Sequence, residues 1–154
     1  MGVHEDDRFH PPTTDDPFWT ETCWFTFAVP ERKLSGQLYP FFRTNQNITS
    51  GGAFFWDDSG SQIWNCVYAK NLWHLPIPKG QDLSDIELPN GIRYRCVEPL
   101  NKYELHYLDA DSGEVEVDLT FEGAIRSWHP VSRSADSARR VRRRMNCFKA
   151  SRRR

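Results

Sequence analysis

The sequence predicts an all-β fold, an antiparallel meander curling into a barrel or half-barrel, with a basic C-terminal tail that is helical or disordered. Three observations predict it. Aromatic and β-branched runs alternate with period two and are separated by turn residues. No helical period intervenes between them, so consecutive strands pair as hairpins. The last run of the body, EVEVDLTF at 114–121, alternates strictly between acidic or hydroxyl and apolar residues, as a sheet with one wet face requires.

Residues 1–17 are polar and contain Pro11, Pro12 and Pro17, so they read as a segment leading into the body. The first strand is expected over 22–29, with Trp24, Thr26 and Ala28 on one face and Cys23, Phe25, Phe27 and Val29 on the other. Residues 31–36 have turn character. The run 37–44 contains Pro40, which marks an edge strand or a bulge. Residues 45–52 read as a loop, 53–56 as a short apolar run and 57–60 as a turn. Residues 61–68 are the expected hairpin partner. The segment 69–91 is the least regular, with Pro76, Pro78 and Pro89, and is expected to be a long loop with a helical turn at 82–86. Strands at 92–97, 102–108 and 114–121 follow, the last two joined by a loop at 109–113. In the last strand Val115, Val117, Leu119 and Phe121 face the core. Glu114, Glu116 and Asp118 face solvent and are not expected to form a metal site, because alternate residues of one strand do not converge.

The net charge of −1 hides two opposed parts. Through Ile125 there are nine Lys or Arg against 20 acids, a balance of −11; from Arg126 onward there are 11 against one, a balance of +10. The divisions expected are therefore a polar segment at 1–17, a β-rich domain at 18–125 and an Arg-rich tail at 126–154. No apolar run approaches the length of a membrane span. The acidic start lacks the apolar region of a secretory signal, so a cytoplasmic location is expected. Cys23, Cys66, Cys96 and Cys147 lie too far apart for a paired zinc site, and Cys23, Cys66 and Cys96, inside apolar strand patterns, read as small buried hydrophobes. There is no glycine-rich phosphate loop, no serine flanked by elbow glycines and no histidine pair at metal spacing. No metal and no cofactor is expected.

Five of the six tryptophans fall between Trp19 and Trp73. They form either a bulky core or the lining of an apolar pocket at the barrel mouth. On the pocket reading the ligand-binding set is Trp24, Arg43, Asn45, Trp56, Trp64, Trp73 and Tyr103. If the site is catalytic, Glu21, Asp57 and His74 are the acid or base candidates. His106, mid-strand, could face either side.

An ordered set of short motifs adds to this. It comprises Trp19, Glu21 and Phe25 (W-x-E-x-x-x-F), then Leu34, Gly36, Leu38 and Tyr39 (L-x-G-x-L-Y), then Arg43 with Asn45. The F-W-D-D turn at 55–58 and D-L-x-F-E-G at 118–123 complete it. With these, the chain from Asp6 to about Gly123 resembles a family of uncharacterised bacterial proteins related in architecture to the carotenoid 1,2-hydratase (hydroxyneurosporene synthase) and AttH-like group. The resemblance implies a lipocalin-like β-domain, the first of two such halves, with a cavity for an apolar ligand. It also implies relatives acting on isoprenoid- or polyketide-like molecules, and it transfers no catalytic residue.

The tail carries Arg139, Arg140, Arg142, Arg143 and Arg144. It reads as an arm for nucleic acid or an acidic surface, as a solvated tail, or as a frame-shifted end to a truncated protein. The abrupt change in composition where the resemblance ends favours the last. Truncation would expose sheet edges and promote self-association. The function expected is therefore binding of an apolar, lipid- or isoprenoid-like small molecule. A hydratase or isomerase is the alternative, and nucleic acid the less expected partner.

Overall fold

A computed structural model describes residues 3–60 and 62–123. Two antiparallel sheets carry the fold. The first contains β1 (Glu21–Thr22), β2 (Phe25–Val29), β3 (Leu34–Arg43), β4 (Ile48–Trp56) and β5 (Tyr68–Pro76). The second contains β6 (Asp85–Glu87), β7 (Ile92–Glu98), β8 (Lys102–Leu108) and β9 (Glu116–Glu122), paired in chain order. Among the described residues the helical pieces are short 3-10 turns. The sheets stay separate, so the fold is an open, half-barrel arrangement.

β3 is central, with β4 on one edge and both β1 and β2 on the other. The expected single strand at 22–29 is thus two strands, interrupted at Cys23 and Trp24. Pro40 is the cause. It lies opposite the interruption, accepting a bond from the Cys23 N–H at 3.0 Å. The N and O of one strand residue point to the same edge, so its missing N–H falls in that gap. The edge or bulge expected at Pro40 is corrected: a central strand accommodates it because its neighbour breaks there.

Two further corrections concern the middle of the chain. Residues 48–52, expected in a loop, belong to β4, where Thr49, Ser50, Gly51 and Gly52 are buried. Glycine is needed there: a Cβ on Gly51 would lie 1.8 Å from the Tyr39 carbonyl oxygen, and one on Gly52 1.7 Å from that of Lys70. The hairpin partner of β4 is β5, not residues 61–68, and β5 occupies the start of the segment read as irregular. Asp82–Ile86 forms no helical turn; Asp85 and Ile86 begin β6. The strand expected at 92–97 runs one residue further, to Glu98, that at 102–108 stands as expected, and β9 begins two residues later than expected.

The core lies between the sheets. Phe27, Leu38, Phe42, Ala53 and Phe55 face Ile86, Ile92, Tyr94, Leu105, Tyr107, Val117 and Leu119, all buried. Each large apolar side chain removed from water contributes about 1.5–3 kcal/mol before entropy is charged against it. Rings join the two layers: Phe25 lies 5.6 Å from Tyr94 and 5.5 Å from Phe121. Part of the leading segment packs here too. Phe9 meets Phe42 edge-on at 5.0 Å, its N–H donates to Asp82 Oδ1 at 2.7 Å, and Asp7 is buried. The tail and the helix considered for it lie outside the described residues.

Candidate functional site

The alternation that sends Leu38, Pro40 and Phe42 inward turns Tyr39, Phe41 and Arg43 to the outer face of the first sheet. There they meet two tryptophans. The Trp24 ring lies 5.0 Å from Tyr39, Tyr39 lies 6.0 Å from Phe41, and Phe41 meets Trp73 edge-on at 5.7 Å. Opposite Phe41 and Tyr39, β4 supplies only Ser50 and Gly52. With no bulk on the intervening strand, the rings of β3 and β5 touch across it. The row is open to solvent: Trp24 is 63% and Trp73 58% exposed.

Arg43 closes one end. Its guanidinium lies 5.1 Å from the Phe18 ring and 5.8 Å from the Phe41 ring. No ion pair holds it, and its buried Nε has no hydrogen-bond partner among the described residues. The adjoining turn explains how Phe18 reaches it. Asn45 Nδ2 donates to the carbonyls of Thr14 and Asp16 at 2.9 and 2.7 Å, and Gln46 Nε2 to that of Pro17. Asn45 thus anchors residues 14–18 instead of offering its amide to a ligand. A half-buried cation on aromatic faces, beside exposed indoles, can hold an anionic group and an apolar body together.

Four residues of the expected ligand set (Trp24, Arg43, Asn45 and Trp73) therefore share one surface, but it is the outer face and not a pocket between the sheets. The remaining three lie outside the row, although Trp56 stands on the same face at the far end of β4. Trp56 stacks on Phe54 at 6.2 Å and donates its Nε1–H to the Gln62 carbonyl at 2.9 Å. Trp64, in the turn Ile63–Asn65, is 80% exposed. Tyr103 donates its hydroxyl to the buried Asp7; burial and that carboxylate push the phenol up. The expectation that Trp24, Trp64 and Trp73 line an interior is corrected, because core side chains from both sheets fill it.

The acid and base candidates also separate. Glu21 pairs in register with inward Phe42, on the face opposite the aromatic row. It bonds His10 Nδ1 at 2.6 Å, and that contact raises the His10 pKa. Asp57 accepts from Ser59 N and Oγ at 2.9 and 2.6 Å, which lowers its pKa and commits it to the turn. His74 is exposed at φ 57°, beside the β4–β5 register shift, and its N–H donates to Ser50 Oγ at 2.9 Å.

Tyr39, Phe41 and Phe18 were missed as site residues. Tyr39 and Phe41 stand at i−4 and i−2 from Arg43, the same-face spacing of a strand. Two polar clusters were also missed. Asp109, buried at the junction of the sheets, accepts from Lys70 Nζ on β5, Tyr68 Oη at 3.0 Å and Ser112 Oγ at 3.0 Å. The Lys70 ammonium, then the hydroxyls, hold its carboxyl far below the usual range. On the outer face of the second sheet, donor atoms of His106, Glu116 and Asp118 lie within 4.8 Å of one another. The expectation that these acids do not converge is corrected: a histidine on the neighbouring strand brings them together.

The arrangement defines an all-β protein of two antiparallel sheets with an exposed aromatic face. The chain belongs to a family described as a domain of unknown function (DUF7064), which matches residues 3–146. The match therefore continues past residue 126, where the charge balance reverses. No curated protein and no solved structure matches the chain. Among the described residues no helix is long and apolar enough to cross a membrane.

Proposed function

We propose that the protein binds an apolar small molecule bearing an anionic group on the outer face of the first sheet. Trp24, Tyr39, Phe41 and Trp73 take the apolar body, and Arg43 takes the anion. The observation that carries this reading is the Arg43 guanidinium, held between two rings with no carboxylate partner among the described residues, at the end of an exposed aromatic row. An exposed apolar patch rimmed by a polar anchor is a recurrent mark of a binding surface. The apolar ligand class agrees with the isoprenoid-like substrates implied by the resemblance to the carotenoid 1,2-hydratase group. Binding is favoured over hydratase or isomerase chemistry because the close carboxylate–imidazole pairs Glu21 with His10 and Asp118 with His106 both stand away from the aromatic row.

Tryptophan quenching with retinoate and retinol tests it, the two ligands differing in their anionic group. Retinoate should bind at least tenfold more tightly, the worth of one charge-assisted hydrogen bond (about 1.5–3 kcal/mol). Arg43→Gln should remove that preference, and Trp24→Ala with Trp73→Ala should weaken both ligands. Saturable binding unchanged in the tryptophan double variant would refute the site.

A further inference from the structure

We infer that His106, Glu116 and Asp118 form a divalent-cation site on the outer face of the second sheet, separate from the aromatic face. In the pairing of β8 with β9, His106 stands directly opposite Asp118, and Glu116 is two residues along the same face. The ligating atoms of all three lie within 4.8 Å of one another. His106 Nδ1 and Asp118 Oδ1 are 2.9 Å apart. Tetrahedral ligands about 2.1 Å from one ion stand about 3.4 Å apart, so this hydrogen-bonded pair has to open by only about 0.5 Å to become adjacent ligands.

Glu116 needs only a rotamer adjustment, which its exposure permits. An imidazole nitrogen with two carboxylates suits a first-row transition ion such as Zn2+ better than Mg2+, which prefers an all-oxygen shell. Three protein ligands leave positions open. His106 and Asp118 also line a depression of about 510 Å3, together with Arg93, Arg95, Glu104 and Thr120, which gives a fourth ligand access. Arg93 lies opposite His106 on β7 but is 3.8 Å from Asp85, and Arg95 is 2.7 Å from Glu104, so both cations have acids of their own. The ion would take the Nδ1 lone pair of His106 and offset the repulsion between the two carboxylates.

The test is a Zn2+ titration of the full chain followed by imidazole NMR, with Mg2+ as the control ion. The His106 resonances should shift saturably with Zn2+ and not with Mg2+. The Glu116→Gln, Asp118→Asn double variant should bind at least tenfold more weakly at His106. All three side chains are at the surface, so an unchanged melting temperature establishes that the variant is folded. Zn2+ shifts confined to His4, His10, His74 or His129, or a His106 titration unaltered in the double variant, would overturn the inference.

Discussion

Replacing Asp109 by asparagine keeps its volume and removes its charge at the junction of the two sheets. The two carboxylate oxygens divide the work: Oδ1 accepts from Lys70 Nζ and, at 3.2 Å, from Asp111 N, while Oδ2 accepts from Tyr68 Oη and Ser112 Oγ. Asparagine has one acceptor oxygen. Whichever way its amide turns, an NH2 group faces two donors, and a buried donor left unsatisfied costs about 1–3 kcal/mol. Two such losses, partly relieved by rotation of the Tyr68 and Ser112 hydroxyls and by Asp111, which still accepts from Lys70 Nζ at 2.6 Å, lower the unfolding free energy by about 2 kcal/mol. For a chain of this size that is on the order of 10 °C in melting temperature.

Urea denaturation of both proteins at pH 7 and pH 3 measures this. The Asp109 carboxyl is held below its ordinary value in the folded state. Its contribution is therefore complete above the unfolded value near 4 and is lost as pH falls toward the folded one. The deficit of Asp109→Asn should narrow by about 1 kcal/mol between pH 7 and pH 3. A deficit below about 1 kcal/mol at pH 7, or one that widens in acid, would refute the reasoning.

Gly36→Ala should destabilise the core. The new Cβ would lie 2.5 Å from Phe27 Cζ and 2.6 Å from Phe55 Cδ1, and displacing those rings costs about 1–3 kcal/mol, read by the same denaturation. His10 should titrate above its ordinary value of 6.5 by NMR and return toward it in Glu21→Gln, since Glu21 is the main cause of the rise. A raised folded value means that the pair stabilises the protein below pH about 6.5 and ceases to do so as pH rises through the folded value.

The most legible parts of the fold were the strands whose own residues alternate. β8 and β9 show that pattern without outside help, and Val117 and Leu119 are buried as it requires. β4 was illegible at 48–52 because Ser, Gly and Gly are loop formers by themselves. They are strand residues here only because the backbones of β3 and β5 press on them from both sides. β5 was hidden by the polar stretch around Asn71 and His74, which has no internal signal and takes its pairing from β4. The site was half legible. The grouping of Trp24, Arg43 and Trp73 could be expected from their residue types, whereas Phe18 reaches Arg43 only through the hydrogen bonds made by Asn45 and Gln46.

The sequence by itself determined the all-β class, the acidic outer face of β9 and the supply of rings near one cation, because period two and residue polarity are local properties. Only the tertiary structure decided that those rings face outward. A period states which residues share a face; the opposing sheet decides which face is buried. Long-range pairing likewise assembled Asp109 with Tyr68 and Lys70, 41 and 39 residues away. It also set His106 against Asp118, 12 residues on. Neither cluster has a signature within one strand: the first joins β5 to the loop after β8, and the second depends on the register of the β8–β9 hairpin.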